Sequence, residues 1–484
     1  WNASEKQWFA FDNKTGKTIG LTQEIPVNFW NEKNDTPSEP GAYGIAAWGE
    51  GDKFVLMYDA FDIWKLDPSG KQKPVNITNN AGRTDSITFR YINTDPDKRF
   101  VENKDVLLLS AFDNISKEAG FYTLRLQGRN PLLKRELDKY GYSSVKKAKN
   151  ADLLVFQKSN FNTSPDLYIT QDLWQSAKKL TDINPQMKEY NWGTTELIRW
   201  TAFDGKQSQG ILYKPENFDP SKKYPVMIYF YEKHSDELYR YFAPAPSRSV
   251  INIPFFVSRG YIVFTPDIHY GVGQPGPDAY NYVVSGAQAL AKNQWVDSEN
   301  MAIQGQSWGG YQVAYLITQT NMFKAAGAGA PVSNMTSAYG GIRWETGRSR
   351  QFQYEQTQSR IGATMSDSLQ LYIENSPVFF ANKVNTPLLI MHNDNDGAVP
   401  WYQGIEYFMS LRRLGKPVWM LQYNKEAHNL NQRRNAKDLS IRLQQFFDHY
   451  LKGTPAPVWM TRGLPATEKG KSWGYDLEAG QPGN

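Results

Sequence analysis

The spacing of apolar residues after Asn191 constrains the fold of this 484-residue chain more than any other feature. Residues 226–230 and 261–265 are continuous apolar runs, as expected of strands that are buried on both faces of a sheet. Residues 283–291 then place their apolar side chains on one face of a helix. The alternation continues to a last amphipathic helix predicted over residues 437–451. Alternating strands and helices predict a doubly wound, mostly parallel sheet.

The residues before Asn191 follow a different pattern. Short apolar and aromatic runs bounded by Gly, Pro, Asn or Asp, without a helical period, predict antiparallel strand pairs. The predicted pairs are 54–58 with 62–66, 106–110 with 121–126, and 153–156 with 166–170. Asp62 and Asp166 each precede an Ile-Thr or Leu-Thr pair, Ile77-Thr78 and Leu180-Thr181. Such imperfect repeats predict β-propeller blades, with an ordinary β-sandwich as the alternative.

The change of pattern divides the chain into three predicted segments. A β-propeller-like region covers residues 1–190, a doubly wound domain covers 191–462, and an irregular tail covers 463–484. At about 40–50 residues per blade, the first segment holds only some four blades, so we expect N-terminal blades to be missing. The chain opens at Trp1 without a basic and then apolar leader, which suggests a processed product or a fragment.

Composition excludes several classes of function. Lys and Arg number 54 against 49 Asp and Glu, and no basic run stands out, which argues against a nucleic-acid partner. No apolar stretch approaches the roughly 20 residues that a membrane span needs. The absence of cysteine excludes a disulfide scaffold, a thiol nucleophile and a zinc-thiolate site. No spacing resembles a metal-ligand set, so neither a metal nor another cofactor is expected.

One motif carries chemistry: Gly305-Gln-Ser307-Trp-Gly309 has the form G-x-S-x-G. An apolar strand predicted up to Gln304 precedes it and a helix predicted from Gly310 follows it. This strand–turn–helix setting is that of a nucleophile elbow, in which a strained turn exposes the serine hydroxyl. The alternative is that Ser307 is an ordinary helix N-cap.

A serine nucleophile needs a base, which in this architecture follows it in the chain. Three histidines lie downstream of Ser307: His392, His428 and His449. His449 lies in the predicted C-terminal helix, where a structural role is favoured. His392 ends an apolar strand and is as consistent with orienting a loop as with acting as the base. His428, in a polar loop after the strand predicted over 418–423, is the predicted base.

The acid is expected in the loop after the strand predicted over residues 387–391. Its sequence, His392-Asn-Asp394-Asn-Asp396-Gly-Ala-Val-Pro400, offers two carboxylates that could accept a hydrogen bond from His428 Nδ1. Position alone leaves Asp394 and Asp396 as alternatives, and the other would shape the loop as an Asx-turn.

With these motifs, residues 191–464 resemble the prolyl oligopeptidase family of serine peptidases, which includes the dipeptidyl peptidase IV and acylaminoacyl peptidase branches. The resemblance rests on Gly305-Gln-Ser-Trp-Gly-Gly-Tyr311, on His392-x-x-x-Asp396-x-x-Val-Pro400 and on Glu426-x-His428. It implies an α/β-hydrolase domain preceded by a β-propeller, and it favours Asp396 as the acid. It also implies that the Tyr231 hydroxyl and the Trp308 backbone N–H bind the oxyanion.

The sequence departs from the family at two places. Glu232-Lys-His234 replaces the Gly-Gly-Pro or Ala-Gly-Pro of many relatives, and Asp267-Ile-His269 lies where relatives often carry an arginine. We expect both histidines to be structural, although His234 is also a candidate for the site lining. The resemblance further suggests aromatic residues after Pro331 as specificity determinants, equally consistent with a core role: Tyr339, Trp344, Phe352 and Tyr354.

The expected function is therefore a serine peptidase that hydrolyses short peptides through an acyl-enzyme. A dipeptidyl peptidase or oligopeptidase that prefers Pro or a small apolar residue before the cut bond fits best. A carboxylesterase on the same fold and a catalytically silent propeller interaction protein are the alternatives. Peptide substrates are the expected partners, together with a homo-oligomer or the missing propeller segment. A periplasmic or secreted location is expected, with the cytoplasm as the alternative.

Overall fold

The computed structural model describes residues 1–127, 132–171, 176–468 and 470–478. Its contacts divide the chain into two compact units. The first unit comprises Trp1–Asn34, Ser38–Lys188 and Asp236–Tyr241, and the second comprises Asp35–Pro37, Glu189–Ser235 and Phe242–Asn484. No helix in the described ranges combines the length and the apolar character needed to cross a membrane.

The first unit consists of antiparallel strands with one short helix among its described residues. After a small hairpin come three four-stranded sheets, in each of which the strands pair in chain order. The hairpin is β1 (Phe9–Phe11) and β2 (Thr18–Gly20). The first sheet is β3 (Ile45–Trp48), β4 (Val55–Tyr58), β5 (Ile63–Leu66) and β6 (Val75–Asn76). Helix α1 (Ala81–Asp85) follows it.

The second sheet is β7 (Ile87–Tyr91), β8 (Val106–Asp113), β9 (Ala119–Arg125) and β10 (Leu133–Asp138). The third is β11 (Gly141–Lys147), β12 (Leu153–Asn160), β13 (Thr163–Gln171) and β14 (Lys178–Lys179). The three predicted strand pairs are confirmed as β4–β5, β8–β9 and β12–β13. Alternate side chains of the first two sheets form a buried cluster that includes Leu56, Ile63, Phe89 and Leu109.

The Asp–Thr repeat of the sequence is a pair of side-chain hydrogen bonds. The Thr78 hydroxyl donates to Asp62 Oδ1 at 2.6 Å, and the Thr181 hydroxyl donates to Asp166 Oδ1 at 2.8 Å. Each hydroxyl also accepts a backbone N–H, from Ile63 and Leu167 respectively. Both carboxylates are buried, and a buried carboxylate is costly unless it is hydrogen-bonded. In the first and third sheets, the repeat therefore ties the third strand to the segment that follows the fourth strand.

Removal of one of these hydroxyls should destabilise the first unit. Thr78→Val keeps the shape of the side chain but leaves a buried Asp62 oxygen and the Ile63 N–H without this partner. We expect a loss of about 1–3 kcal/mol in the free energy of unfolding, measured by urea denaturation. Thr15→Val is the control because the Thr15 hydroxyl makes a similar bond to Asp12 at an exposed turn, and its loss should stay below about 0.5 kcal/mol. Equal losses for the two variants would contradict this interpretation.

The second unit is built on one eight-stranded sheet in the order β15-β16-β18-β17-β19-β20-β23-β24. Its strands are β15 (Thr194–Thr201), β16 (Gln207–Lys214), β17 (Tyr224–Tyr229), β18 (Ile262–Pro266), β19 (Val296–Gln306), β20 (Ala325–Gly329), β23 (Leu388–Met391) and β24 (Val418–Leu421). The first two pairings are antiparallel and all later ones are parallel. A separate hairpin is formed by β21 (Ile342–Arg343) and β22 (Arg348–Ser349).

The helices of this unit are α2 (Ile253–Ser258), α3 (Pro275–Ala291), α4 (Trp308–Gln319), α5 (Met335–Tyr339), α6 (Gln351–Glu355), α7 (Leu369–Glu374), α8 (Tyr402–Arg413), α9 (Arg433–Lys452) and α10 (Val458–Thr461). They cover both faces of the sheet. Ala326 and Ala328 of β20 pack in the same buried cluster as α4, whereas a Cβ at Gly327 would contact Phe447 of α9. Since alternate residues of a strand face opposite ways, α4 and α9 lie on opposite faces.

The predicted doubly wound, mostly parallel sheet is thus confirmed, with shifted boundaries. The last long helix begins at Arg433, four residues before the predicted start, and the strand before the elbow ends at Gln306 rather than Gln304. After Gly453 the chain forms α10, which lies within the segment 191–462 predicted as the doubly wound domain. Trp459 and Met460 are buried there, so apolar burial holds this short helix in place.

Candidate active site

Ser307 occupies the turn between β19 and α4, as predicted. Its backbone has φ 61° and ψ −113°, and a non-glycine residue in this region is strained. The glycines of the motif make the turn possible: a Cβ at Gly305 would lie 2.5 Å from the Gly309 backbone, and one at Gly309 would lie 2.6 Å from the Phe230 carbonyl oxygen. Both approaches are closer than a real Cβ permits. The Ser307 N–H donates to the Gly329 carbonyl at 2.8 Å, which fixes the turn against β20.

Tyr231 follows β17, and the close approach of Phe230 to Gly309 brings it beside the elbow. Its phenol oxygen accepts a hydrogen bond of 2.7 Å from Gln358 Nε2. The Gln312 side chain donates to the Tyr231 carbonyl at 2.7 Å. Burial raises the pKa of the Tyr231 phenol, although interactions with the side chains of Gln358 and Ser307 lower it in part. The phenol therefore keeps its proton and can donate it in a hydrogen bond.

Trp308 is the first residue of α4 and is almost fully buried. The N–H groups of the first helical turn have no partner within the helix, so its backbone N–H is available to an acceptor at the elbow. The indole Nε1 donates to the Tyr270 hydroxyl at 3.1 Å, which anchors the side chain. The position of Trp308 at the elbow is the one from which the sequence predicts a second oxyanion donor.

The loop after β23 resolves the choice between the two carboxylates. Asp396 Oδ2 lies 2.7 Å from His428 Nδ1, while Oδ1 accepts the backbone N–H groups of Ala398 and Val399 at 2.8 and 2.9 Å. Asp394 instead accepts the N–H of Lys425 at 2.6 Å at an exposed position. The contact with His428 thus belongs to Asp396, and Asp394 joins this loop to the next one.

A second histidine contacts the same carboxylate. His392 is fully buried, and its Nε2 lies 3.3 Å from Asp396 Oδ2 and 3.2 Å from the Val399 carbonyl. Both neighbours are acceptors, so Nε2 carries the hydrogen. Burial acts to raise the pKa of Asp396, but hydrogen bonds from His392 and His428 outweigh it and hold that pKa well below its usual range. Sequence reasoning weighed His392 only as a loop-orienting residue or a base.

His428 lies in the loop after β24, which is tied to the elbow and to the acid loop. The Gln306 side chain donates to the His428 carbonyl at 2.9 Å, and Asn393 Nδ2 donates to the Ala427 carbonyl at 2.8 Å. The Glu426 carboxylate accepts the N–H groups of Asn431 and Gln432, 2.8 and 3.0 Å away, ahead of α9. The base loop is therefore held on two sides and His428 is presented with its Nδ1 already engaged.

The other histidines have different surroundings. His449 Nδ1 contacts the Thr454 carbonyl at 2.7 Å within the C-terminal end of α9. The His234 N–H donates to Asp267 at 2.6 Å and its ring packs on Tyr229. The His269 ring packs on Tyr282, and burial lowers the pKa of His269. Asp267 thus fixes the loop at which the sequence departs from the family pattern.

The four aromatic residues after Pro331 take different positions. Tyr354 is fully buried in the main apolar cluster, whereas Trp344 is 74% exposed. Tyr339 and Phe352 line a cavity of about 530 Å³, together with Arg348, Ser349, Gln351 and Glu355. Tyr354 is therefore a core residue, whereas Tyr339 and Phe352 share their cavity with charged and polar side chains.

A nucleophile elbow between a parallel strand and a helix, with the acid and then the histidine on later loops of the same sheet, defines a serine hydrolase of the α/β-hydrolase class. Residues 246–454 match the model of the prolyl oligopeptidase family. The matched range, less than half of the chain, contains Ser307, Asp396 and His428, so this domain is similar to the catalytic domain of that family.

Curated relatives are similar over somewhat more than half of the chain. A Bacillus subtilis protein named "Uncharacterized peptidase YuxL" is 25% identical over 297 residues, which are 58% of this chain and 43% of the relative. Dipeptidyl-peptidase 5 of Porphyromonas endodontalis is 28% identical over 284 residues, or 52% of this chain and 37% of the relative. The chain thus aligns with less than half the length of these relatives.

Solved structures resemble the fold over a longer range. The dipeptidyl peptidase 4 of Porphyromonas gingivalis matches with a TM-score of 0.66 at 18% identity, covering 93% of this chain and 61% of that one. An acylaminoacyl peptidase of Pyrococcus horikoshii matches with a TM-score of 0.61 at 19% identity, covering 96% and 68%. At these identities the likeness concerns the fold alone.

Proposed function

We propose that this chain is a serine peptidase in which Ser307 attacks the carbonyl carbon of a peptide bond. His428 takes the hydroxyl proton and returns it to the leaving amine, so that an acyl-enzyme forms and the C–N bond breaks. Water then attacks the acyl-enzyme with His428 again as the base. The observation that carries this proposal is the 2.7 Å contact between His428 Nδ1 and Asp396, beside a strained Ser307.

Asp396 serves as the orienting acid in this mechanism. Its contact with Nδ1 selects the tautomer in which Nε2 can accept a proton, and its negative charge stabilises the imidazolium that forms. The carboxylate is suited to this role because its pKa is held low, so it remains ionised while His428 changes protonation.

Tyr231 and Trp308 supply the oxyanion donors. Gln358 occupies the acceptor side of the phenol oxygen, which leaves the phenol O–H to donate to the carbonyl oxygen as negative charge develops there. The Trp308 N–H, at the start of α4, is the second donor. The positive end of the helix dipole strengthens its interaction with the negatively charged oxyanion.

We further propose that the three four-stranded sheets of the first unit are blades of a β-propeller. The support is their chain-order pairing and the recurrent Asp–Thr hydrogen bond in the first and third sheets.

Short peptides are the proposed substrates, cut by a dipeptidyl peptidase or oligopeptidase reaction after Pro or a small apolar residue. Relatives named dipeptidyl-peptidase support this choice. Anilides of Xaa-Pro, Ala-Ala and longer peptides, compared with simple esters, test peptidase against carboxylesterase.

The nucleophile is tested first by active-site labelling. A fluorophosphonate should label the intact protein at Ser307, and Ser307→Ala should abolish the labelling, because only an activated serine reacts. Ser333→Ala is the matched control, since this fully buried serine lies outside the site. Labelling that survives in Ser307→Ala, or that is absent in the intact protein, would falsify the nucleophile assignment.

The two carboxylates of the acid loop allow a paired experiment. Asp396→Asn should lower kcat by about 10⁴-fold, because the neutral amide no longer holds the productive tautomer of His428. Asp394→Asn removes a carboxylate two residues away that contacts only backbone in the described hydrogen bonds, and it should stay within about tenfold. Hydrolysis of a peptide anilide gives both values, and the opposite ranking would move the assignment to Asp394.

Loss of the Tyr231 hydroxyl should destabilise the transition state more than the bound substrate. Tyr231→Phe should reduce kcat by about 10²- to 10³-fold with little change in KM, since an oxyanion donor contributes about 2.7–4 kcal/mol. Tyr229→Phe, at the end of β17 and two residues before Tyr231, should keep kcat within about threefold of the parent. A kcat for Tyr231→Phe equal to that of the parent would show that Tyr231 is not an oxyanion donor.

A further inference from the structure

The hairpin of β21 and β22 brings together two arginines. Arg343 and Arg348 are directly paired across this short ladder, so their side chains project from the same face of the hairpin. Like charges directly opposite each other destabilise a strand pair. No carboxylate of the described residues forms an ion pair with either guanidinium. The hairpin therefore presents two positive charges without compensation from the chain.

Two acidic residues lie in this region. The Glu355 carboxylate, which lines the same cavity as Arg348, accepts a hydrogen bond from the Tyr339 hydroxyl. Glu345, in the hairpin turn, packs its side chain against Gly397. Neither carboxylate forms an ion pair with Arg343 or Arg348, so the two guanidinium groups can bind an anion from outside the chain.

The hairpin is fastened to the loop that carries Asp396. The Glu345 N–H donates to the Gly397 carbonyl at 3.2 Å, and the buried Arg350 guanidinium, just after β22, donates to the Ala398 carbonyl. The Arg350 N–H also bonds to Gly341 at 3.0 Å, which closes the base of the hairpin. Both ends of the hairpin are thus held beside the acid loop.

Arg343 also acts on the oxyanion-hole tyrosine. Burial raises the pKa of the Tyr231 phenol, and the positive charge of Arg343 is one of the interactions that lower it. The half-buried guanidinium is therefore within electrostatic range of the phenol. Arg348, across the ladder, is exposed and lines the 530 Å³ cavity. The hairpin that carries the pair is thus fastened to the acid loop, and it borders an open cavity.

We propose that Arg343 and Arg348 form an anion subsite beside the catalytic centre that binds a carboxylate of the peptide substrate. This inference rests on the proposed peptidase function. Guanidinium groups bind carboxylates with paired, charge-assisted hydrogen bonds, and the cavity beside Arg348 is open to a peptide. The carboxylate is either the C-terminal α-carboxylate of the substrate or an Asp or Glu side chain.

Matched peptides separate these two sources. One pair differs only in a free or amidated C-terminus, and the other differs only in Glu or Gln next to the cut bond. The intact protein should hydrolyse the charged member of one pair about tenfold better in kcat/KM at low salt. The preference should shrink as ionic strength rises, because exposed charges are screened.

Variants assign the preference to the arginines. Arg343→Gln and Arg348→Gln should each reduce the preference for the charged peptide by about threefold or more, and the double variant should abolish this preference. Arg343→Lys and Arg348→Lys should each retain part of the preference. Arg413→Gln is the matched control, since it removes an exposed arginine from the end of α8. Equal rates for both members of each pair in the intact protein would overturn the proposal. So would a preference that survives in the double variant or falls equally in Arg413→Gln.

A binding measurement separates this proposal from the proposed function. Calorimetry with Ser307→Ala and the same peptides requires no turnover, so the carboxylate preference appears in Kd even if the chain cuts no peptide. Peptide cleavage that persists unchanged in Ser307→Ala would refute the catalytic assignment alone. Ser307-dependent cleavage without any carboxylate preference, in rate or in Kd, would refute the anion subsite alone.

Discussion

The carboxylate of Asp396 is the interaction on which the geometry of the site depends. It is almost fully buried, and a buried charge is tolerated only when it is well hydrogen-bonded. Two backbone N–H groups satisfy Oδ1, and two histidine rings approach Oδ2. The same group therefore shapes its own loop, fixes the loop of His428 and anchors His392 at the end of β23. Any substitution at this position disturbs three neighbours at once.

The sheet explains why the remaining groups meet. Ser307, Tyr231, Asp396 and His428 follow the carboxyl ends of β19, β17, β23 and β24, which run parallel in one sheet. Parallel strands bring their carboxyl ends to a single edge. Residues far apart in sequence thus need only short loops to converge. The side chains of Gln306 and Gln358 then complete the positioning through hydrogen bonds to His428 and Tyr231.

Much of this architecture follows from local sequence patterns. Apolar runs and helical periods predicted the strands and helices of the second unit, because burial on both faces leaves a strong compositional signal. The choice of Asp396 over Asp394 needed the family resemblance, since both positions have the same local chemistry. The contact of His392 with Asp396 and the hydrogen bond from Gln306 to the His428 carbonyl depend on loop geometry. Loop geometry leaves no periodic pattern in the sequence. Likewise, nothing in residues 35–37 indicates that they belong to the second unit.

Buried aspartates occur in both units, and their hydrogen-bond donors explain their different uses. Asp62 is satisfied by the Thr78 hydroxyl and the backbone N–H groups of Gly82 and Arg83, none of which changes charge near neutral pH. Asp396 combines backbone donors with two imidazoles. An imidazole can take up a proton on its second ring nitrogen and become a cation, which a hydroxyl or a backbone N–H cannot do, so its carboxylate partner can stabilise a positive charge that forms beside it. The chemical character of the donors, rather than burial itself, thus distinguishes a structural aspartate from one that can support catalysis.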